Sequence, residues 1–201
     1  MFNDEKVLDQ YLRPSIRKLD QEVALFALDN TANVLTTNIA SLYNLLGRLS
    51  SVNLRAFLHP DIAFEASFLD DLFKAIHFLE QRDLQWGALG IVGRSWQGDY
   101  LWCHEVSEPT LVCCLDACSL ITDVGKGIRF DQKWFNEFHC YVEDYCLQCH
   151  AAGLGVYVFP TIASHGSATK SVRGGQWGKY RKYRRRLQLK WRRKFRTIYT
   201  C

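Results

Sequence analysis

The chain has 201 residues, of which 48% are hydrophobic and 13% aromatic, a composition that supplies a sizeable core and excludes an intrinsically disordered chain. No apolar run approaches the roughly 18–20 residues that a membrane-spanning helix needs. The N-terminal sequence MFNDEKVLDQYL lacks a basic segment followed by an apolar one, which predicts that the chain has no signal peptide, is cytoplasmic and keeps its eight cysteines reduced.

The first part of the chain predicts helices that alternate with strands. Apolar residues recur at helical spacing in the longer segments, and short apolar runs end in turn residues. Pro14 falls inside the first helix and is expected to kink or shorten it. In chain order, the sequence predicts a helix over 3–19, a strand over 22–28, a helix over 36–49 capped by Thr36 or Thr37, a strand over 54–58 and a helix over 66–82.

The second part continues the alternation. It predicts strands over 88–93, 100–106 and 110–122, a mostly helical segment over 130–153, and a last strand over 155–160. Gly153 is the expected C-terminal cap of the helical segment. The alternation predicts an α/β fold in which helices flank both faces of a sheet, and ligands of such sheets bind beyond the carboxyl ends of the strands.

Charge divides the chain at residue 177. Residues 1–176 carry 14 basic and 21 acidic side chains, a net charge of −7, whereas residues 177–201 carry 11 basic side chains and no acidic one. Apolar residues recur every three or four positions from 177 to 198, which predicts a basic amphipathic helix. Three partners fit this helix: an anionic membrane surface, the acidic body itself or, less favoured, a nucleic acid.

The segment CLQCH, residues 146–150, has the spacing at which c-type haem is attached. Covalent attachment of haem normally occurs outside the cytoplasm, which disfavours this interpretation for a chain with no predicted export signal. A zinc site is a second interpretation, but only one cysteine pair has the CxxC spacing. Free cysteines are among the most buried residue types, and we therefore expect Cys146 and Cys149 to be core thiols.

Polar residues cluster where the predicted strands end, which is where a site for an anion and a metal would lie. Loops also place solvated carboxylates at strand ends, so position alone leaves both interpretations open. The residues concerned are Asp29, Asn30, Asp61, Asp116, Asp131, Glu143 and Asp144.

The order of several motifs resembles a known family. The matching stretches are DNTANVLTTNIASLYNLL, AFLHPDIAFEASFLDDL, WGALGIVG, LDACSLIT, IRFDQKWFNEFHCYVEDYCLQCHAAGLGVYV and ASHGS. Together they resemble family 2 glycosyltransferases of the GT-A fold, in the subgroup named after a streptomycin-biosynthesis protein. The resemblance implies a Rossmann-like mixed sheet flanked by helices over residues 1–170, followed by a basic amphipathic tail over 171–201.

The resemblance also implies an activity, which is transfer of a sugar from a nucleotide-diphosphate sugar to an acceptor hydroxyl, with inversion and with Mn²⁺ or Mg²⁺. It does not identify the acceptor. His59-Pro60-Asp61 stands where the family has its Asp-x-Asp motif, so Asp61, with His59, matches the metal ligands. His165 matches a histidine that some relatives use on the metal or the diphosphate.

Two further groups of residues take roles from the resemblance. Asp144, with Glu143 before it, matches the acid pair that supplies the general base, and its place at a helix start is expected to lower its pKa. The nucleotide-sugar site is expected to use Asp29, Asn30, Asn38 and Asp116.

The chain departs from the family pattern in two ways. Residues 1–170 lack the family's apolar first strand, and no second acid accompanies Asp61 in the motif. A rival hypothesis is therefore an inactive GT-A remnant that acts as a basic membrane- or nucleic-acid-binding module. In either case the expected location is the cytoplasm, with attachment to the inner face of the membrane if the tail binds lipid.

Overall fold

A mixed sheet of five strands lies at the centre of the computed structural model, which describes residues 4–27, 38–49, 52–166 and 177–201. The helices are α1 (Glu5–Gln10), α2 (Leu12–Arg17), α3 (Ile39–Leu49), α4 (Phe68–Gln81), α5 (Tyr141–Ala151) and α6 (Trp177–Trp191). The strands are β1 (Leu54–Leu58), β2 (Ile62–Phe64), β3 (Trp86–Gly90), β4 (Val92–Arg94), β5 (Tyr100–Trp102), β6 (Thr110–Leu111), β7 (Cys114–Leu115), β8 (Ser119–Asp123), β9 (Gly155–Val158) and β10 (Ala163–His165).

The main sheet has the strand order β1-β8-β3-β9-β6. Strands β3 and β9 are parallel, while β8 pairs antiparallel with both β1 and β3, and β6 pairs antiparallel with β9. Two smaller sheets stand beside it, β10-β2 and β5-β4-β7. The result is the mixed sheet with flanking helices that the sequence predicts.

Helix α5 is enclosed on nearly every side. Eight of its residues, from Tyr141 to Cys149, are buried, because the helix lies against β3, β7 and β9 while α6 contributes Tyr183 and Leu187 to the same core. It ends near Gly153, whose φ of 79° is the left-handed conformation that helix C-terminal caps favour. The predicted cap at Gly153 is confirmed.

The predicted strand over 22–28 is wrong for the part that the structure describes. Residues 22–27 have no regular structure, and Val23, Leu25 and Phe26 are exposed. An apolar run forms a strand only where a sheet edge pairs with its backbone. The main sheet ends at β1 on one side and β6 on the other, and no described residue of this segment pairs with either edge.

The apolar run over 110–122 forms three short strands instead of the single strand predicted. It pairs first with β9, then with β4, and last with β1 and β3. The chain turns between the last two because Asp116 Oδ1 accepts a hydrogen bond of 2.8 Å from the backbone N–H of Cys118. Most side chains of the run are buried, so the sequence shows one continuous apolar pattern. The turns between the three strands are therefore not visible in that pattern.

The predicted helix over 130–153 begins eleven residues later than the pattern suggests. Residues 131–140 form turns, in which the carboxylate of Asp131 accepts hydrogen bonds from the backbone N–H groups of Lys133 and Trp134. Cys140 has a φ of 60°, a left-handed conformation that ends this turn region before α5 starts at Tyr141. Side-chain hydrogen bonds of this kind compete with helix formation.

The C-terminal segment, residues 177–201, begins with α6 and continues without regular structure after Trp191. Phe195 and Ile198, which the periodic pattern placed on the helix, therefore lie beyond its end, and both pack against the core. Among the described helices, none is both long and apolar enough to cross a membrane.

Candidate functional site

A buried turn between β1 and β2 carries the histidine and the aspartate of His59-Pro60-Asp61. The backbone N–H of His59 donates to Cys118 O at 2.9 Å, and His59 O accepts from Ile62 N–H at 3.3 Å. Asp61 O accepts from Gly166 N–H at 2.8 Å. These bonds hold the turn between the loop before β8 and the end of β10, so its side chains have fixed positions.

Strand β10 brings His165 to the same turn. His165 pairs with Ile62 in the antiparallel ladder between β10 and β2, and the ring centroids of His59 and His165 are 5.7 Å apart. One ligand atom from each of His59, Asp61 and His165 lies within 4.8 Å of the other two. The structure thus brings together the three residues that the sequence assigns to a metal.

The chemistry of this histidine–aspartate cluster suits a cation. Burial lowers the pKa of His59, which keeps its imidazole neutral and able to donate a lone pair. His165 Nε2 is buried 3.2 Å from Asp61 Oδ1, yet it has no hydrogen bond of acceptable geometry. The two groups are close enough to share one cation, which would replace this direct contact.

The donor set fits Mn²⁺ better than Mg²⁺. Two imidazoles and one carboxylate form a mixed nitrogen and oxygen set, which transition metals accept, whereas Mg²⁺ prefers oxygen ligands and water. Burial works to lower the pKa of His165, but the carboxylate of Asp61 more than offsets it and raises that pKa above its ordinary value. A metal ion at this position therefore competes with a proton for His165.

Asp116 lies between the histidine–aspartate cluster and the acid pair of α5. Its charge partly opposes the lowering of the pKa of His59 by burial, and it adds to burial in raising the pKa of Glu143. Its backbone N–H donates to Val92 O at 2.9 Å, and its Oδ1 accepts from Cys118 N–H. Asp116 is not among the three residues whose ligand atoms cluster.

The carboxylate of Asp144 is fully enclosed and has three side-chain partners. Trp191 Nε1 donates to Oδ1 at 2.7 Å, Lys190 Nζ lies 2.8 Å from Oδ1, and Gln148 Nε2 donates to Oδ2 at 2.9 Å. Lys190 Nζ also lies 2.8 Å from Asp131 Oδ2. The end of α6 therefore covers the predicted general base.

The ionisation of the acid pair differs from the expectation for a helix start. Burial raises the pKa of Asp144 above its ordinary value, and the opposing effects of Lys190 and Trp191 do not cancel it. The expected lowering by the helix dipole is therefore wrong, because burial outweighs it. Burial, together with the charges of Asp116 and Asp144, raises the pKa of Glu143 to about 8.

The residues assigned to the nucleotide-sugar site have mixed outcomes. Asp29 and Asn30 lie outside the described residues, as do the proposed caps Thr36 and Thr37. Asn38 Oδ1 accepts from Ser41 N–H at 3.0 Å, the N-cap hydrogen bond of α3. Asn38 therefore has a structural role at the helix start.

The cysteines of CLQCH are buried, as predicted. Cys146 and Cys149 have no exposed surface, and all eight cysteines are free thiols. Cys146 Sγ accepts from Leu115 N–H at 3.4 Å, and Cys149 packs against Gly87, where even a Cβ atom would lie 2.7 Å from the sulfur. Both sulfurs pack in the core between α5 and the strands.

Sequence reasoning missed the direct contact of Lys190 and Trp191 with Asp144. The signal that points to it is the opposite charge of the body and the C-terminal segment, together with the aromatic stripe of that segment. From that signal, the acidic body is one of three candidate partners for the helix. The signal does not identify which residues of the helix contact the body.

Comparison of the sequence with models of known protein families finds no match. Comparison with curated proteins finds none either.

Proposed function

We propose that this protein is a metal-dependent glycosyltransferase that takes a sugar from a nucleotide-diphosphate sugar and passes it to an acceptor hydroxyl. The observation that supports the proposal is that His165, far along the chain, meets His59 and Asp61 at the end of β1. The order of motifs that resembles family 2 glycosyltransferases supports the same activity. A transition-metal preference follows from the two imidazoles.

In this proposal His59, Asp61 and His165 hold the cation at the carboxyl end of β1. When bound there, a divalent cation neutralises the charge that builds on the departing nucleoside diphosphate. Asp116 holds negative charge beside this position and helps to keep the cation in place. The hydrogen bonds of the turn at His59 and Asp61 fix the ligands before the substrate binds.

Asp144 is the proposed base for the acceptor hydroxyl, and its surroundings set a condition on the reaction. A base has to lie within hydrogen-bond reach of the proton that it takes. Lys190 and Trp191 already donate hydrogen bonds to the carboxylate oxygens of Asp144. The acceptor hydroxyl therefore gains access to Asp144 only when the end of α6 moves away. Glu143, which is neutral at neutral pH because of its raised pKa, does not replace Asp144 as the base.

The enclosure of Asp144 favours a second candidate, which is a binding protein without transferase activity. In that case the ion pair between Asp144 and Lys190 is purely structural. The histidine–aspartate cluster would then bind a metal, with or without a nucleotide, and no sugar would be transferred.

Calorimetric titration of UDP and GDP in the presence of Mn²⁺ tests the donor site. The wild type is expected to bind one of them only with the metal, and Asp61→Asn is expected to lose this binding. Asp20→Asn, the same change at an exposed position, is the control and is expected to bind as the wild type does. Absence of binding to either nucleotide with Mn²⁺ would refute the donor site. Binding without turnover of any tested sugar nucleotide would favour the second candidate.

A further inference from the structure

The basic side chains of the C-terminal segment fall into two groups by residue type. All four lysines contact the body: Lys179 and Lys182 pair with Glu137, Lys190 with Asp131 and Asp144, and Lys194 donates to Ala151 O. Arg186 also faces inward and donates to Trp134 O at 3.1 Å. The other six arginines are exposed, and in the part of the chain that the structure describes their side chains have no ion pair or hydrogen bond; they are Arg181, Arg184, Arg185, Arg192, Arg193 and Arg196.

Three of these arginines define one face of α6. Arg181, Arg184 and Arg185 stand at positions i, i+3 and i+4, which share a face of a helix. Arg192 continues the row, because its backbone N–H donates to Gln188 O at 2.9 Å and extends the helical bonding by one residue. We call this row of arginines, from Arg181 to Arg192, the arginine face. Guanidinium groups bind phosphate oxygens in a two-pronged geometry that lysine lacks.

Two apolar side chains stand beside the arginine face and are exposed with it. Trp177, four residues before Arg181, has 50% of its surface exposed, and Leu189, four residues after Arg185, has 46%. The other large apolar residues of α6 turn away, since Tyr183 and Leu187 are fully buried. The outer side of α6 thus combines cationic groups with a tryptophan and a leucine, as surface-bound amphipathic helices do.

We propose that the arginine face docks this protein onto an anionic phospholipid surface. Helix α6 packs on the body through its lysines and through its buried residues Tyr183 and Leu187. It therefore binds lipid through its outer face as a folded helix, and the buried residues do not insert into the membrane. A helix of this length presents a straight row about 20 Å long, which a planar surface can contact along its whole length. The proposal is independent of sugar transfer.

The same charges would attract a nucleic acid, but the surroundings favour lipid. Proteins that hold single strands use several exposed aromatic rings as stacking platforms. Here Tyr180, Trp191 and Phe195 pack against the core, and among the aromatic rings of α6, all of which the structure describes, only Trp177 is largely exposed. The body beside α6 also carries a net charge of −7 over residues 1–176, which repels a polyanion that wraps around the protein.

Flotation with vesicles made of equal parts of phosphatidylcholine and phosphatidylglycerol tests the proposal. The wild type is expected to float with these vesicles, to stay behind with phosphatidylcholine alone, and to bind less as salt rises. Changing Arg181, Arg184 and Arg185 to Gln is expected to lower the partition coefficient on the order of a hundredfold. The three side chains are exposed and unpaired, so the melting temperature is expected to stay unchanged.

A second triple variant serves as the control that distinguishes binding by the arginine face from a general effect of net charge. Lys6, Arg17 and Arg48 are exposed and lie outside the C-terminal segment, and changing them to Gln removes the same charge. This variant is expected to float nearly as the wild type does. Equal loss in both triples, or no flotation of the wild type with anionic vesicles, would overturn the proposal. Tighter binding to a DNA duplex or to single-stranded RNA than to vesicles at equal salt would also overturn it.

Discussion

At the end of β1, Asp61 lies beside His59 of its own turn and His165 of β10, whereas at the start of α5 Asp144 is enclosed by a lysine and a tryptophan. Both carboxylates are nearly inaccessible to solvent, with 6% and 0% of their surface exposed. Their partners differ in charge, because His59 is held neutral by burial while Lys190 carries a positive charge 2.8 Å from Asp144 Oδ1.

The site at Asp61 can accept a metal cation, whereas the site at Asp144 already holds the ammonium group of Lys190. The charge of Asp144 is neutralised by an ammonium group of the chain itself, and a buried ion pair of this kind is costly to break. The carboxylate of Asp61 lies 3.2 Å from the ring of His165, and His59 is the third member of the cluster. Each imidazole can donate a lone pair to a metal ion when it is neutral. Two acids that look alike in the sequence therefore have different chemistry available to them.

The largest effect is expected at Asp144. Asp144→Ala removes the buried one of the two counter-charges of Lys190 and leaves the indole N–H of Trp191 without its acceptor, so the free energy of unfolding is expected to fall by about 4 kcal/mol. Urea denaturation measures it. Asp131→Ala removes the other carboxylate that pairs with Lys190. The side chain of Asp131 is a quarter exposed, so the free energy of unfolding is expected to fall by only about 1 kcal/mol. Equal costs would show that Asp144 does not hold the end of α6.

The next effect concerns pH and Glu143. Its pKa is raised from an ordinary value of 4.5 to about 8 in the folded protein, so its contribution to stability is fully present below 4.5 and is lost as pH rises through about 8. Between about pH 5 and about pH 7, inside this window, the free energy of unfolding of the wild type is expected to fall by about 3 kcal/mol from this group.

Glu143→Gln stays neutral and is expected to remove most of that fall. Urea denaturation at about pH 5 and about pH 7 measures the slope for both proteins. Glu80→Gln, the same change at an exposed position of α4, is the control and is expected to keep the wild-type slope. An unchanged slope in Glu143→Gln would show that another group dominates the pH dependence.

The smallest of the three effects distinguishes the two carboxylates by their response to metal. Mn²⁺ at a hundredfold excess over its dissociation constant is expected to stabilise the wild type by about 2.7 kcal/mol, and Mg²⁺ at the same concentration by much less. Asp61→Asn is expected to lose this stabilisation, whereas Asp144→Ala, although less stable, is expected to keep it. Thermal denaturation with and without each ion gives the comparison, and an equal response of both variants would contradict it.

The elements that the sequence predicts well are those whose pattern reflects one packed face. Helix α4 has Phe68, Leu72 and Leu79 on its buried side, and the predicted helix over 66–82 matches it closely. His59, Asp61 and His165 are assigned to one metal from the family resemblance, and the structure brings their ligand atoms together. Spacing alone does not contain this information.

The misses have a common physical origin in pairing between distant segments. Residues 22–27 have the composition of a strand but no partner edge, and the run over 110–122 changes partner twice while staying buried. The environment of Asp144 depends on Trp191, 47 residues later in the chain. Local composition records whether a residue is buried, and it does not record which distant residue covers it.

The distance along the chain between Asp144 and Lys190 also has a consequence for synthesis. The ribosome adds Asp144 to the chain well before it adds the lysine that pairs with it, since the two residues are 46 positions apart. Until then an ionised Asp144 stays in water, because burying an ionised carboxylate without a counter-charge is costly. The packing of α5 under the ion pair with Lys190 is therefore completed only after Lys190 has been translated and has left the ribosome.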